Sequence, residues 1–174
     1  MRRGLVVTGV GIVAVLAGGA GVRWFDGVPL VRACEVLTGD FAAQVLGGPV
    51  LSNDDMGPRS TECQYMSTPA GGSVTLEARR YKATARESAP ERARRLGLRH
   101  RGKPYPGLGE EAYLSIYQIP HSPTTVPSPQ TAMGQLVIVV DNVIIRVGAG
   151  GLPTPQIRTT TEKLARAYLS RLTP

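Results

Sequence analysis

The chain is poor in the residues that most catalytic and metal-binding sites use. It has two cysteines, two histidines and one tryptophan among 174 residues. It also lacks the Gly-x-Ser-x-Gly, His-Glu-x-x-His and phosphate-loop motifs, and no Gly-x-Gly-x-x-Gly precedes a predicted helix. A structural zinc site normally takes four cysteine and histidine ligands, and two cysteines with two distant histidines supply these poorly. The sequence therefore predicts no catalytic residues, no metal and no cofactor.

Two remaining groups of residues give weak support for catalysis. His100 lies in a basic loop and His121 in a proline-rich one, so catalysis would need the fold to bring a nucleophile or a carboxylate to either. Glu110 and Glu111 are adjacent carboxylates, but neighbouring residues on a strand point to opposite faces. An envelope hydrolase is therefore the least favoured interpretation.

An uncharged apolar run occupies residues 5–22 and follows Arg2 and Arg3. As a helix its eighteen residues would be roughly 27 Å long, close to the ~30 Å hydrocarbon core of a bilayer. The two arginines favour a cytoplasmic amino terminus. The run predicts a single-pass membrane anchor in residues 1–27, followed by an extracytoplasmic domain in residues 28–174.

A cleaved secretory signal is the alternative for this segment. Residues 5–16 form an adequate apolar region, and Ala17, Gly19 and Ala20 are small residues beyond it, although no clean Ala-x-Ala is present. Both interpretations place the domain outside the cytoplasm. The predicted function is a non-catalytic, membrane-anchored binding or accessory protein of the cell envelope; the alternative is a secreted soluble ligand-binding protein.

The two cysteines, Cys34 and Cys63, both fall in the predicted extracytoplasmic part. An even number of cysteines in an oxidising compartment indicates a disulfide. Two separate buried thiols are the alternative.

Positive charge is concentrated in one segment of the chain. Ten of the 20 basic residues lie between positions 79 and 103, where Glu87 and Glu91 are the only acids. We interpret them as a basic surface that is either solvated or in contact with anionic lipid headgroups or acidic wall polymer. Nucleic acid is disfavoured because aromatic residues are not interleaved. The basic residues are Arg79, Arg80, Lys82, Arg86, Arg92, Arg94, Arg95, Arg99, Arg101 and Lys103.

Turn residues and hydrophobic periodicity predict three helices and five strands. The first helix is 39–46, which begins after a Thr38 cap and is stopped by Gly47. The second begins at a Ser88–Glu91 capping box and is ended by Gly97, and the third follows Thr154. The predicted core face of the third helix comprises Ile157, Leu164, Ala165, Tyr168, Leu169 and Leu172.

The strands are 62–67, 73–81, 111–119, 133–140 and 143–147. Residues 49–61 are a loop with the turn signal Asn53-Asp54-Asp55, Asp141-Asn142 is a tight hairpin turn, and 148–153 is a glycine-rich exit. Alternation predicts that Val74, Leu76 and Ala78 face inward and that Thr75, Glu77 and Arg146 face outward. The expected fold class is α+β, with one mainly antiparallel five-stranded sheet covered by about three helices.

Two further features are candidates for binding. Tyr105, Tyr113 and Tyr117 would line a small apolar ligand pocket, or they are amphipathic core residues. The segment 120–131 is long for a loop between paired strands and is either a solvated loop, a partner-binding loop or a site of glycosylation at Thr124 and Thr125.

Several short motifs resemble a known family. They are Cys34-Glu-Val-Leu-Thr, then Ala43-Gln-Val-Leu-Gly, a strand with Cys63, and Pro106-Gly-Leu-Gly-Glu-Glu-Ala. Over residues 32–172 the order of elements is similar to a large family of short actinobacterial cell-envelope proteins, most of them lipoproteins. The resemblance implies a PsbP-like α/β sandwich, a Cys34–Cys63 disulfide and no known catalytic residues. The chain lacks the lipoprotein cysteine, because Gly19 follows Leu16-Ala17-Gly18, which favours anchoring by an uncleaved helix.

Overall fold

A computed structural model describes residues 30–57, 59–67, 71–82, 87–99, 101–118 and 132–172. The predicted anchor at 5–22, Arg86, both histidines and the segment 120–131 lie outside these residues. None of the helices within the described ranges has the length and hydrophobicity needed to cross a bilayer.

The described residues form one fully antiparallel sheet of seven strands with four helices. The helices are α1 Ala33–Val36, α2 Gly39–Leu46, α3 Ala89–Arg99 and α4 Thr154–Leu172. The strands are β1 Val50–Met56, β2 Ser60–Ser67, β3 Ser73–Arg80, β4 Lys103–Pro104, β5 Glu111–Gln118, β6 Ala132–Val140 and β7 Val143–Leu152. Their order across the sheet is β1-β2-β3-β7-β6-β5-β4. The prediction of five strands and about three helices was therefore wrong.

The two missed strands are the two edges of the sheet. Strand β1 contains Asn53-Asp54-Asp55, which the sequence pattern assigned to a turn, and it pairs with β2 along its whole length. Strand β4 ends on Pro104, which an edge strand tolerates because its N–H side can face solvent. An edge strand buries little, so its residues need not alternate in hydrophobicity.

One face of the sheet, which we call face A, carries the main core. Leu76 and Ala78 of β3, Ile145 and Val147 of β7 and Leu136 of β6 are buried there. Helices α1, α2 and α4 cover this face, and α4 contributes the buried side chains Ile157, Leu164, Ala165, Tyr168 and Leu172. The predicted inward residues of β3 and α4 are therefore buried as expected, except that Leu169 is only partly buried.

A disulfide joins Cys34 of α1 to Cys63 of β2, with Cα atoms 5.1 Å apart. The backbone N–H of Ala33 also donates to Thr61 Oγ1 at 2.8 Å. The two links hold the first helix on face A. The disulfide expected from the sequence is confirmed.

The opposite face, face B, is covered on one side by α3. Its residues Ala89, Ala93 and Leu96 pack on Val137 and Val139 of β6. The Ser88 and Glu91 capping box forms as predicted, with Ser88 N donating to Glu91 Oε2 at 2.8 Å.

Helix α3 does not end at Gly97, which corrects the prediction. A Cβ at Gly97 would lie 2.5 Å from Tyr113 Cβ, so the glycine allows the helix to approach β5. Here glycine permits close packing inside a helix and does not act as its terminator.

Candidate binding surface

Beside α3, no other element in the described part of the chain covers face B. This surface, which we call the open face, is a concavity of about 460 Å³. Because strands β1, β2, β3, β7, β6 and β5 are in continuous register, its side chains lie in three rows that cross the strands. The lining residues are Glu62, Gln64, Ser73, Thr75, Glu77, Tyr117, Met133, Gly134, Gln135, Arg146, Gly148 and Ala149.

The first row is charged. Asp55, Glu62, Glu77 and Arg146 stand directly opposite one another on β1, β2, β3 and β7. Directly opposed side chains lie about 5 Å apart, and like charges at that spacing repel. Glu77 pairs with Arg146 at 2.7 Å, whereas neither Asp55 nor Glu62 forms an ion pair with the described residues. The row therefore holds two carboxylates that Arg146 does not neutralise.

The second row is uncharged and polar. It runs from Asn53 through Gln64, Thr75 and Gly148 to Gln135. With its amide oxygen towards Arg146, Gln135 accepts hydrogen bonds from Nε at 3.0 Å and Nη2 at 2.7 Å. Arg146 is thus fixed between Glu77 and Gln135.

The third row is apolar at both ends. Leu51 and Met66 stand opposite each other on β1 and β2, and Met133 and Tyr117 do so on β6 and β5. Their exposures are 61%, 46%, 36% and 38%, which makes them four of the five exposed large hydrophobic residues in the described part of the chain. Exposed apolar side chains beside a polar row are typical of interaction surfaces.

Glycines form the floor between these ends. Gly148 and Gly150 both belong to β7, and their Cα atoms face the open side. A Cβ at Gly148 would meet no atom closer than 3.8 Å. At Gly148 the depression therefore exists because a side chain is absent, and not because there is no room for one. At Gly150 a Cβ would lie 3.3 Å from Met133 Cγ and 3.4 Å from Ser73 Oγ, so neighbouring side chains already occupy part of that space.

The predicted basic surface is divided among several local environments. Arg95 donates two hydrogen bonds to the Glu87 carboxylate, at 2.7 and 2.8 Å. Arg92 donates one to the same carboxylate at 3.3 Å. The hydrogen bond from Arg95 and then that from Arg92 lower the Glu87 pKa to about 2. Arg94 donates to Tyr113 Oη at 3.4 Å, and this bond with the nearby Glu111 carboxylate raises the arginine's pKa.

The other predicted basic residues have no ion pair within the described residues. Arg79 stacks over Tyr81 at 6.0 Å, and the side chain of Arg80 is half-buried. The remaining side chains are exposed, namely Lys82, Arg99, Arg101 and Lys103.

The three tyrosines do not converge on one pocket. Tyr105 donates to Glu162 Oε2 of α4 at 2.6 Å, and this bond raises the tyrosine pKa and lowers the glutamate pKa. Tyr113 lies against α3, and it shares a shallow depression of about 370 Å³ with Tyr105 at the 104–113 turn. Tyr117 alone lines the open face.

The described acidic residues offer no group suited to a metal ion. Glu110 Oε1 accepts from the backbone N–H of Asp141 at 2.9 Å. Glu111 accepts from Tyr113 Oη at 2.9 Å and lies 3.5 Å from Arg94. The two adjacent carboxylates thus contact different parts of the fold.

Comparison of the chain with protein-family models and with curated proteins finds no match.

Sequence reasoning missed the open face. The alternation in β3 predicted that Thr75 and Glu77 face outward, and Arg146 was placed outward in β7. No local pattern indicated that these residues would stand side by side. The alignment arises from pairing between β3 and β7, which are 63 or more residues apart in sequence.

Proposed function

We propose that the protein is a non-catalytic binding domain of the cell envelope that uses the open face as its contact surface. One observation carries the proposal: Asp55 and Glu62 stand directly opposite each other in an ordered row, with no ion pair among the described residues, beside four exposed apolar side chains. Such an arrangement costs stability in the isolated domain, and binding of a partner would recover part of that cost.

The chemistry of the open face favours a partner with both basic and apolar groups. Three carboxylates face one arginine in the charged row, so positive groups are attracted and anionic ones repelled. The apolar ends, which include Met66 and Met133, provide adaptable contact area. An anionic lipid or wall polymer therefore fits this surface poorly.

We further propose that the domain lies outside the cytoplasm and is held by residues 5–22. The Cys34–Cys63 disulfide supports this location, because such bonds persist in oxidising compartments. A fusion of alkaline phosphatase after Pro174 tests it, since that reporter is active only where its own disulfides form. An active, membrane-bound fusion is expected; an inactive one would contradict the location. Mass spectrometry of the native amino terminus separates the anchored form from a secreted, cleaved one.

The contact surface is tested by photo-crosslinking in the cells that produce the protein. A benzoylphenylalanine at Gln64 lies in the middle row of the open face, and one at Ala167 lies on the exposed side of α4 as the matched control. We expect an adduct from position 64 and none from position 167. Absence of any adduct from position 64, or equal adducts from both, would rule out the open face as the contact surface.

A further inference from the structure

Face B has two halves that complement each other in shape. Helix α3 stands one helix layer above the sheet over Tyr113 of β5, Val137 and Val139 of β6 and Ile144 of β7. Beside it, on β1, β2 and β3, face B has no such layer among the described residues. A helix packs on a sheet at about 10 Å, so the empty layer has the thickness of a second helix. The half that protrudes and the half that is recessed belong to the same face of one chain.

The two halves also complement each other in charge. Helix α3 contains four arginines and one glutamate. Its outer side exposes Leu98 by 59%, with Arg94, Arg95 and Arg99 around it. The open face presents the opposite arrangement, in which carboxylates stand beside exposed apolar residues. Arg94 and Arg95 are paired with Glu111 and Glu87 of the same chain, whereas Arg99 has no ion pair among the described residues and is the arginine that complements Asp55 and Glu62.

We propose that two copies of the chain associate through face B, so that α3 of each copy occupies the open face of the other. This inference rests on the proposed function, because it names the partner of the open face. A two-fold axis parallel to the strands exchanges the protruding and recessed halves of two facing sheets, and the contact is therefore self-complementary. The two α3 helices lie side by side in one layer between the sheets. The axis preserves position along the strands, and α3 packs on Val137 and Tyr113 at the level of the charged row. Helix α3 of each copy therefore meets the charged row of the other copy, where Arg99 faces the carboxylates of Asp55 and Glu62.

A charge exchange tests the association on the full chain in detergent, by sedimentation equilibrium corrected for bound detergent. Glu62 and Arg99 suit the exchange because neither forms an ion pair within the described residues. Each contact occurs twice in a two-fold dimer, so Glu62→Arg or Arg99→Glu should raise the dimer dissociation constant about tenfold, equivalent to about 1.4 kcal/mol. The double variant should return it to within about threefold of wild type, since opposite charges again face each other.

The matched controls carry the same charge changes on the other side of the molecule. Glu35→Arg lies on α1 and Arg171→Glu at the end of α4, and both side chains are exposed away from face B. We expect neither to change the dissociation constant. A protein that stays monomeric, a dimer that both single variants leave intact, or a double variant as weak as the singles would overturn the proposal.

The crosslinking experiment at Gln64 separates this inference from the proposed function. An adduct of twice the chain mass supports the second copy. An adduct of any other mass, such as that of a different protein with a basic amphipathic helix, overturns the second copy and leaves the open face as the contact surface. Absence of an adduct overturns both.

Discussion

Tyr168 is the largest fully buried side chain of α4. The pH dependence of the unfolding free energy tests quantitatively whether its hydroxyl is buried in the core. The ring has no solvent exposure, and its hydroxyl donates to the backbone carbonyl of Val31 at 2.9 Å. Burial raises the pKa of Tyr168 from 10.0 to about 12. The folded protein therefore keeps the proton at pH values where the unfolded chain loses it.

The direction in which stability changes with pH follows from the number of protons that the folded and the unfolded chain each bind. The raised pKa contributes stability that is fully present below pH 10 and is lost as the pH rises through about 12. Two pH units correspond to about 2.7 kcal/mol of unfolding free energy. At neutral pH the hydroxyl stabilises the fold, because Tyr168→Phe removes a hydrogen bond and leaves the Val31 carbonyl unpaired, at a cost of about 1 kcal/mol.

The two effects together predict that the stability curves cross. Wild type should be about 1 kcal/mol more stable than Tyr168→Phe at pH 8, equal to it near pH 11, and less stable above. Urea unfolding followed by circular dichroism between pH 8 and 11.5 measures both curves. Lysines and the other tyrosines titrate in both proteins and cancel in the difference. Parallel curves over this range would show that Tyr168 is not buried as the structure places it.

Three further changes give distinct outcomes. Replacing Cys34 and Cys63 by serine should lower the unfolding free energy by about 3–4 kcal/mol, the chain-entropy value for their separation of 29 residues, in urea titrations. Gly97→Ala should lower it by about 1–3 kcal/mol despite the better helix propensity of alanine, because the new methyl overlaps Tyr113. Glu87 has a lowered pKa, so its hydrogen bonds to two arginines of α3 stabilise the fold above pH 4.5, and this stabilisation is lost as the pH falls towards 2. Glu87→Gln should abolish that acid-dependent loss of stability, measured by thermal melts.

Each of these changes has its own control. Reduced wild-type protein should match the double serine variant, and a mismatch above about 1 kcal/mol would contradict the entropic account. Gly97→Ala should regain stability when Tyr113 is also replaced by alanine, and failure to do so would place the clash elsewhere. An acid-dependent loss that persists unchanged in Glu87→Gln would assign it to other carboxylates.

Local signals were sufficient for most individual elements. Thr38 Oγ1 accepts a hydrogen bond from the backbone N–H of Phe41 at 3.3 Å, and Gly47 ends α2 in a left-handed conformation, both as predicted. The two-residue turn at Asp141 also forms. These features depend on residues within one turn of each other, so short-range patterns were enough to predict them.

Features that depend on residues far apart in sequence could not be predicted from short-range patterns. Strand β7 continues through Gly148 to Leu152, where the sequence predicted a glycine-rich exit. Its backbone is hydrogen-bonded by β3 on one side and β6 on the other, and ladder bonds need no side chains. Pairing with strands on both sides, one of them distant in sequence, therefore overrode the local preference of glycine against strands.

By itself, the sequence determined the periodicity of the helices and inner strands, the cysteine pair that became the disulfide, and the outward direction of Glu77 and Arg146. Only the tertiary structure decided that β1 and β4 join the sheet and that α3 covers one half of face B. It also set the register that aligns Asp55, Glu62, Glu77 and Arg146 in one row. The physical reason is that alternation fixes the face of the sheet on which a side chain lies, whereas strand pairing between distant segments fixes its neighbours.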